Sequence, residues 1–301
     1  MNKETERVFR EFQKFIGDKE LNEEELNKAF KEFIDSQNNI VEMGSKRQES
    51  PWDYLEMAYE ADNEKDALKY AKKALKLDKN CLDAEVMIAD LTTDNPEELK
   101  LKYEKLIKKA EKYLKEQDLL NEEDVGHFWG ILETRPYMRL RDAYLRDLVQ
   151  MGKFRKAIKE AEDLLVLSEN DNLGVRYTLI SLYALYEDEV NALKLYKKYK
   201  EDTTQMLLPI IVMYYKMDNY KRAETYLKKL NGANRELVDF FCQEGELDEE
   251  EMFDIVDSGM YAPYTKEEVM IAISQAPYLY GTAASSFLWI SQKLAVLNDL
   301  V

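Results

Sequence analysis

The sequence predicts an all-α protein of stacked helix–turn–helix repeats with a helical cap at each end, on three observations. The 301 residues include only 10 Gly and 6 Pro, the residues that turn-rich β folds depend on. Lys, Glu, Leu and Ala, all good helix formers, dominate the composition. Small and apolar anchors recur at roughly the 34-residue spacing of helix–turn–helix repeats, except that Leu99 and Ala157 stand two spacings apart with an insertion between. With 45% hydrophobic and 34% charged residues the chain has the makings of a folded body. Its length exceeds one compact core, so two domains or one elongated array are expected.

The elements follow in order. Residues 1–34 read as an amphipathic hairpin, with Val8, Phe9, Phe12, Phe15 and Ile16 on one stripe and Leu26, Ala29, Phe30, Phe33 and Ile34 on the other. Residues 35–49 are polar and read as a linker. The hairpin is expected to close the open end of the stack, because a terminal repeat leaves an apolar face bare; docking on a partner is the other reading.

Residues 50–232 hold five repeats. Their second helices carry Ala67, Tyr70, Ala71, Ala74 and Leu75; Leu99, Tyr103 and Leu106; Ala157, Ala161 and Leu164; Ala192, Tyr196 and Tyr199; and Ala223, Leu227 and Leu230. Residues three and four apart share a helix face. Small side chains there let the partner helix approach, and neighbouring large ones fill the space beside it. Cap signals mark the boundaries: Ser50-Pro51-Trp52-Asp53 and Asn95-Pro96-Glu97-Glu98 as helix starts, Gly152 and Gly174 at helix ends or beginnings, and Thr265-Lys266-Glu267-Glu268 as a capping box. Residues 233–301 read as a helical cap. Leu237, Val238, Phe240 and Phe241 lie on one helix, Met252, Phe253, Ile255 and Val256 on the next. Phe287, Leu288, Trp289, Ile290, Leu294 and Leu297 form an apolar last helix expected to pack on the final repeat.

Leu55, Ala58 and Tyr59 with Ala67 and Ala74, and Leu179 and Tyr183 with Ala192 and Tyr196, follow the order of a known motif. The hairpins resemble tetratricopeptide repeats. They depart from that pattern at its closing proline, where Lys79 and Glu169 stand, and at its first-helix glycine, where Glu56 and Ile180 stand. The block Gly126–Asp188 begins Gly-His-Phe-Trp-Gly-Ile-Leu-Glu-Thr-Arg-Pro-Tyr-Met-Arg. It is similar to poorly characterised bacterial tetratricopeptide proteins and, more distantly, to the suppressor-of-tumorigenicity family. The resemblance implies a right-handed superhelical solenoid and no particular reaction.

The 43 basic and 60 acidic residues give a formal net charge of −17, which disfavours nucleic acid and anionic membrane surfaces. Cys81 and Cys242 lie far apart without ligand spacing, and His127 is the only histidine. A multi-histidine metal centre is therefore not expected, and His127, between Gly126 and Phe128, reads as a packed, hydrogen-bonded side chain. No phosphate-binding glycine loop, dinucleotide fingerprint or nucleophile elbow occurs. The N-terminal Met-Asn-Lys-Glu-Thr-Glu-Arg has no apolar run behind it, and no segment reaches the roughly 18 apolar residues of a membrane span. A cytoplasmic protein without cofactor, metal or catalytic activity is expected.

In the repeats that these hairpins resemble, the first helix of each pair faces the concave side. Beside the packed stripe Tyr144, Leu145 and Leu148, that places Arg139, Asp142, Arg146 and Val149 on the groove face, with Tyr177 and Ser181 from the fourth repeat and Val212, Tyr215 and Lys216 from the fifth. Two arginines and a lysine suit a peptide carboxylate or acidic segment, while pairing within the chain to Asp142 or Asp147 is the competing reading. The lysine–asparagine clamp of relatives that bind chaperone tails is not reproduced. Most of the 20 tyrosines fall on repeat positions, and a surplus would suit a groove wall. The expected function is a non-catalytic interaction scaffold binding a partner peptide or helix. A ligand- or peptide-sensing regulator that changes oligomeric state is the alternative, and a cryptic enzyme comes third. Partner and oligomeric state stay open.

Overall fold

A computed structural model describes residues 3–17, 19, 21–42, 50–242, 249–258 and 260–300. Among these residues the protein is all-helical, with seventeen α-helices and no β-strand. They divide into two compact units, 1–152 with 167–169, and 153–166 with 170–301. The division falls in the turn after Gly152, so the repeat region expected over 50–232 is shared between units.

In the first unit, α1 (Lys3–Ile16) and α2 (Glu23–Glu42) form the N-terminal hairpin. Phe12 packs on Phe30 and Phe33, and Phe15 on Phe33, with ring centroids 5.0–5.6 Å apart. α2 continues through Glu42, past the boundary expected at residue 34. The polar stretch holds no proline or glycine before Gly44, so nothing stops the helix there. The rest of the expected linker, 43–49, lies outside the described residues.

Next come α3 (Pro51–Tyr59), α4 (Glu64–Leu77), α5 (Leu82–Leu91), α6 (Pro96–Glu116) and α7 (Arg135–Gln150); α3 packs on α1, each later helix on its predecessor, and α5 also on α7. Ala71 and Ala74 are fully buried and Tyr103 nearly so, as close helix packing requires. The caps fix the ends. Ser50 accepts from Asp53 N while Asp53 accepts from Ser50 N, a complete capping box, and Asn95 caps α6 through Glu98 N. Two 3₁₀ turns, Phe128–Gly130 and Leu132–Thr134, lead into α7. Gly126, at φ +97°, exchanges backbone hydrogen bonds with residues 167 and 169. His127 is exposed, contrary to the packed side chain expected; Phe128 takes the buried place, fully enclosed.

The second unit contains α8 (Phe154–Leu167, its last residue counted with the first unit), α9 (Val175–Leu185), α10 (Glu189–Tyr199), α11 (Thr204–Lys216) and α12 (Tyr220–Ala233). Then follow α13 (Leu237–Cys242), α14 (Glu249–Ser258), α15 (Lys266–Gln275), the short α16 (Pro277–Tyr280) and α17 (Ser285–Leu297). The repeat positions Ala157, Ala161, Ala192, Ala223, Leu227 and Leu230 are fully buried. Gly174 begins α9 in the left-handed region, at φ +72°, which a side chain adopts only under strain. α11 is buried on every side from Thr204 to Tyr214 because α9, α12, α15 and α17 surround it.

The last helix packs on α12 and α13 through Ile290 and Leu294, both fully buried, and leaves Leu288 exposed. The capping box at Thr265 does not form. Its hydroxyl donates to Ala262 O, and Glu268 instead accepts from Thr204 N, Thr204 Oγ1 and Tyr264 N. Burial raises the pKa of this carboxyl, and those donors offset the rise only in part.

Candidate docking face of the first unit

Helices α3, α5 and α7 of the first unit line one face, and α1 lies on it. Glu56 and Tyr59 of α3, Asp83 of α5 and Arg139 of α7 line one small crevice with Glu6 and Arg7 of α1. Helical spacing places these charges. Arg135 and Arg139 are four residues apart on α7, and Glu6 and Arg10 are four apart on α1, so each pair shares a helix face.

Arg139 is the hub. Its Nε and Nη2 donate to the two carboxylate oxygens of Asp83 at 2.8 and 2.6 Å, and its Nη1 donates to Glu6 Oε2 at 2.9 Å. Two-pronged contacts of this kind are the strong, orientation-specific form of the arginine–carboxylate pair. Arg10 donates to Glu6 Oε1 at 3.0 Å and to Leu132 O, and its guanidinium lies 4.6 Å from the centre of the Trp52 ring. Arg7 reaches Glu56, with Asp53 at 3.8 Å. Arg135 donates through Nε to Trp129 O, while its buried Nη1 has no hydrogen-bond acceptor among the described residues and sits 3.7 Å from Glu6 Oε2.

The Glu6 side chain is 3% exposed and that of Asp83 6%. Burial raises the Glu6 pKa, but hydrogen bonds and charge from Arg139, then Arg10, outweigh it and hold the carboxyl below its ordinary value. Burial alone lowers the pKa of Arg139, yet Asp83 and Glu6 carry it above the usual guanidinium value. Arg135 goes the other way: burial pulls it down, with Glu6 opposing and Arg139 and Arg10 adding to the fall.

Beside α1 a cavity of about 120 Å³ opens between α3, α5, α6 and α7, with Arg10, Trp52, Cys81, Lys109, Tyr113 and Tyr137 among its walls. Burial pushes the Cys81 thiol up to about 12, so it stays protonated and acts as a small apolar side chain.

The residues expected to line a groove divide between the units. In the first, Arg139 is committed to Asp83 and Glu6, and Arg146 pairs with Asp142 at 3.0 Å while 68% exposed. Arg146 thus follows the internal-pairing reading, whereas Arg139 finds its acids on other helices. In the second unit, Tyr177 donates to Glu201 and receives Arg176, and Ser181 is buried, donating to Tyr177 O. Val212 is fully buried and so lines no groove. Tyr215 donates to Ser285, and Lys216 donates to the carbonyls of Ala184 and Leu185 at the end of α9. Burial lowers the Lys216 pKa, with Glu187 opposing.

Glu6 and Asp83 escape sequence reasoning, since Arg139 lies 133 residues from Glu6 and 56 from Asp83, whereas the spacing of four from Arg139 is a signal that could have found Arg135. Among the described residues no group of three or more His, Cys, Asp or Glu is placed to hold a metal ion, and no helix is long and apolar enough to cross a membrane. No protein-family model matches the chain, and no curated protein matches it.

Proposed function

We propose that this chain is a non-catalytic protein-interaction scaffold that captures a partner peptide or helix on the face formed by its first helices. In this reading the hairpins within each unit stack in the tetratricopeptide manner, as in a right-handed superhelical solenoid. One observation carries it: the α3–α5–α7 face already receives an amphipathic helix, α1, through charge-matched contacts. A surface that accommodates a helix from its own chain has the shape and polarity to receive a helix that matches its charges.

Crosslinking followed by pull-down from native extract tests the proposal, comparing wild type with Arg139→Ala/Arg146→Ala. A partner recovered by wild type and lost from a variant of unchanged helical circular dichroism is the expected result. Equal recovery rejects this face.

A second reading, a ligand-sensing regulator that changes oligomeric state, is favoured by the cavity beside α1. A metabolite that binds only the native state raises the melting temperature by mass action. Thermal-shift screening coupled to light scattering separates this reading from the first.

A further inference from the structure

We propose that α1 is an internal stand-in for the partner, and that the partner is a helix presenting a glutamate to Arg135 and Arg139, with a basic residue directly after it and another four positions on. The inference rests on the scaffold reading and adds to it the chemistry of the partner and the competitor it must displace.

The charges on the repeats carry the first part. Arg139 of α7 pairs with Asp83 of α5, whereas Arg135, four residues earlier on the same face, has Glu6 of α1 as its carboxylate. On α5 and α7 alone there are thus two cations, the buried Arg135 and the partly exposed Arg139, for one anion, which leaves the site one carboxylate short. Glu6 supplies that carboxylate, 2.9 Å from Arg139 Nη1 and 3.7 Å from Arg135 Nη1. A turn away the sign reverses. Glu56 and Asp53 of α3 receive Arg7, and Leu132 O and the Trp52 ring receive Arg10. The face therefore reads a pattern along one helix, acid then base, with a second base four residues after the acid. Arc by arc, α1 matches it with Glu6, Arg7 and Arg10.

How α1 is held carries the second part. Its apolar stripe does not face the repeats but packs on α2, where Phe12 and Phe15 meet Phe30 and Phe33. Phe9, Phe15, Leu26, Phe30 and Ile34 remain 37–45% exposed. The grip of α1 on α3, α5 and α7 is thus mainly polar, and a competing helix with the same charge pattern replaces the contacts of Glu6, Arg7 and Arg10. Being tethered, α1 sits at high effective concentration and masks the face against free peptides.

The test uses the full chain and a fluorescein-labelled synthetic peptide of residues 1–17, read by fluorescence anisotropy. Glu6→Arg places a cation against Arg135 and Arg139 and so releases α1 in the chain. Because that variant risks misfolding, Arg7→Ala/Arg10→Ala, which changes no residue of the repeats, serves as the second. Both are expected to bind the wild-type peptide about tenfold tighter than the wild-type chain does, since the tethered competitor is weakened. A peptide carrying Glu6→Arg is expected not to bind. In the wild-type chain, saturating peptide is expected to speed amide exchange over residues 3–16. Binding that is no tighter in the double variant, or equal binding of the charge-reversed peptide, overturns the inference. A crosslinked partner whose capture is indifferent to added peptide overturns it too, and leaves the scaffold reading standing. Absence of any partner sinks the scaffold reading and with it the partner's chemistry, while the peptide titration separately decides whether α1 is a displaceable occupant of the face.

Discussion

Glu6 accepts from Arg10 on its own helix and from Arg139 on α7, with Arg135 behind it, while Asp83 of α5 and Arg7, Glu56 and Tyr59 complete the crevice. Its carboxyl is held below its ordinary value in the folded state. The stabilisation is therefore complete above the unfolded carboxylate pKa of about 4.3 and is lost as pH falls through the lower folded value. Amide protection of residues 3–16 should stay level from neutral pH down to mildly acidic conditions and collapse only in stronger acid. Glu6→Gln should weaken the docking of α1 by about 3 kcal/mol, because it leaves two guanidiniums facing a neutral amide. Hydrogen exchange at neutral pH measures that loss. The two cysteines differ as sharply. Cys81 is 7% exposed with its thiol pushed up to about 12, whereas Cys242 is half-buried. Iodoacetamide at neutral pH should label Cys242 first and reach Cys81 only on unfolding, a difference that peptide mass spectrometry resolves.

Between elements, one device recurs. Tyr144 of α7 donates to Glu104 of α6, Tyr183 of α9 to Glu162 of α8, and Tyr214 of α11 to Glu189 of α10. In each case a helix is latched to the one before it, by tyrosines that the sequence placed at packed positions rather than on a groove wall. Removing the Tyr183 hydroxyl with Tyr183→Phe should lower stability by about 1–2 kcal/mol, since the acceptor is charged. The alanines set the helix spacing in the same way. Ala71 is fully buried, so Ala71→Leu should cost about 1–3 kcal/mol through overpacking. Both losses are read as shifts in the denaturation midpoint. The helix starts that carried Ser or Asn before Pro were legible because a cap is local chemistry. The Thr265 box was not, because Glu268 found stronger donors in Thr204, 64 residues away.

At the scale of the molecule, helical packing and acidity dominate. Each unit has its own buried core, α3 to α7 in one and α9 to α12 with α15 and α17 in the other. With a net charge of −17, long-range repulsion opposes binding to a polyanion. Duplex DNA should show no mobility shift even in low-salt buffer, where attraction to phosphates would be strongest.

Helix content and the burial of the alanine-rich helix faces could be read from the chain alone, because they rest on neighbours three or four residues apart and on caps within one turn. Ala67, Ala71 and Ala74, or Ala223, Leu227 and Leu230, announce a buried face wherever the helix is placed. The destination of a charge is another matter. Arg139 lies on the same helical register as Arg146, yet one is locked between Asp83 and Glu6 and the other reaches solvent. His127 and Phe128 are adjacent, and folding exposes one and encloses the other. A long-range ion pair depends on which helices meet, which local periodicity does not encode, and so the seat of α1 emerged only once the chain was folded.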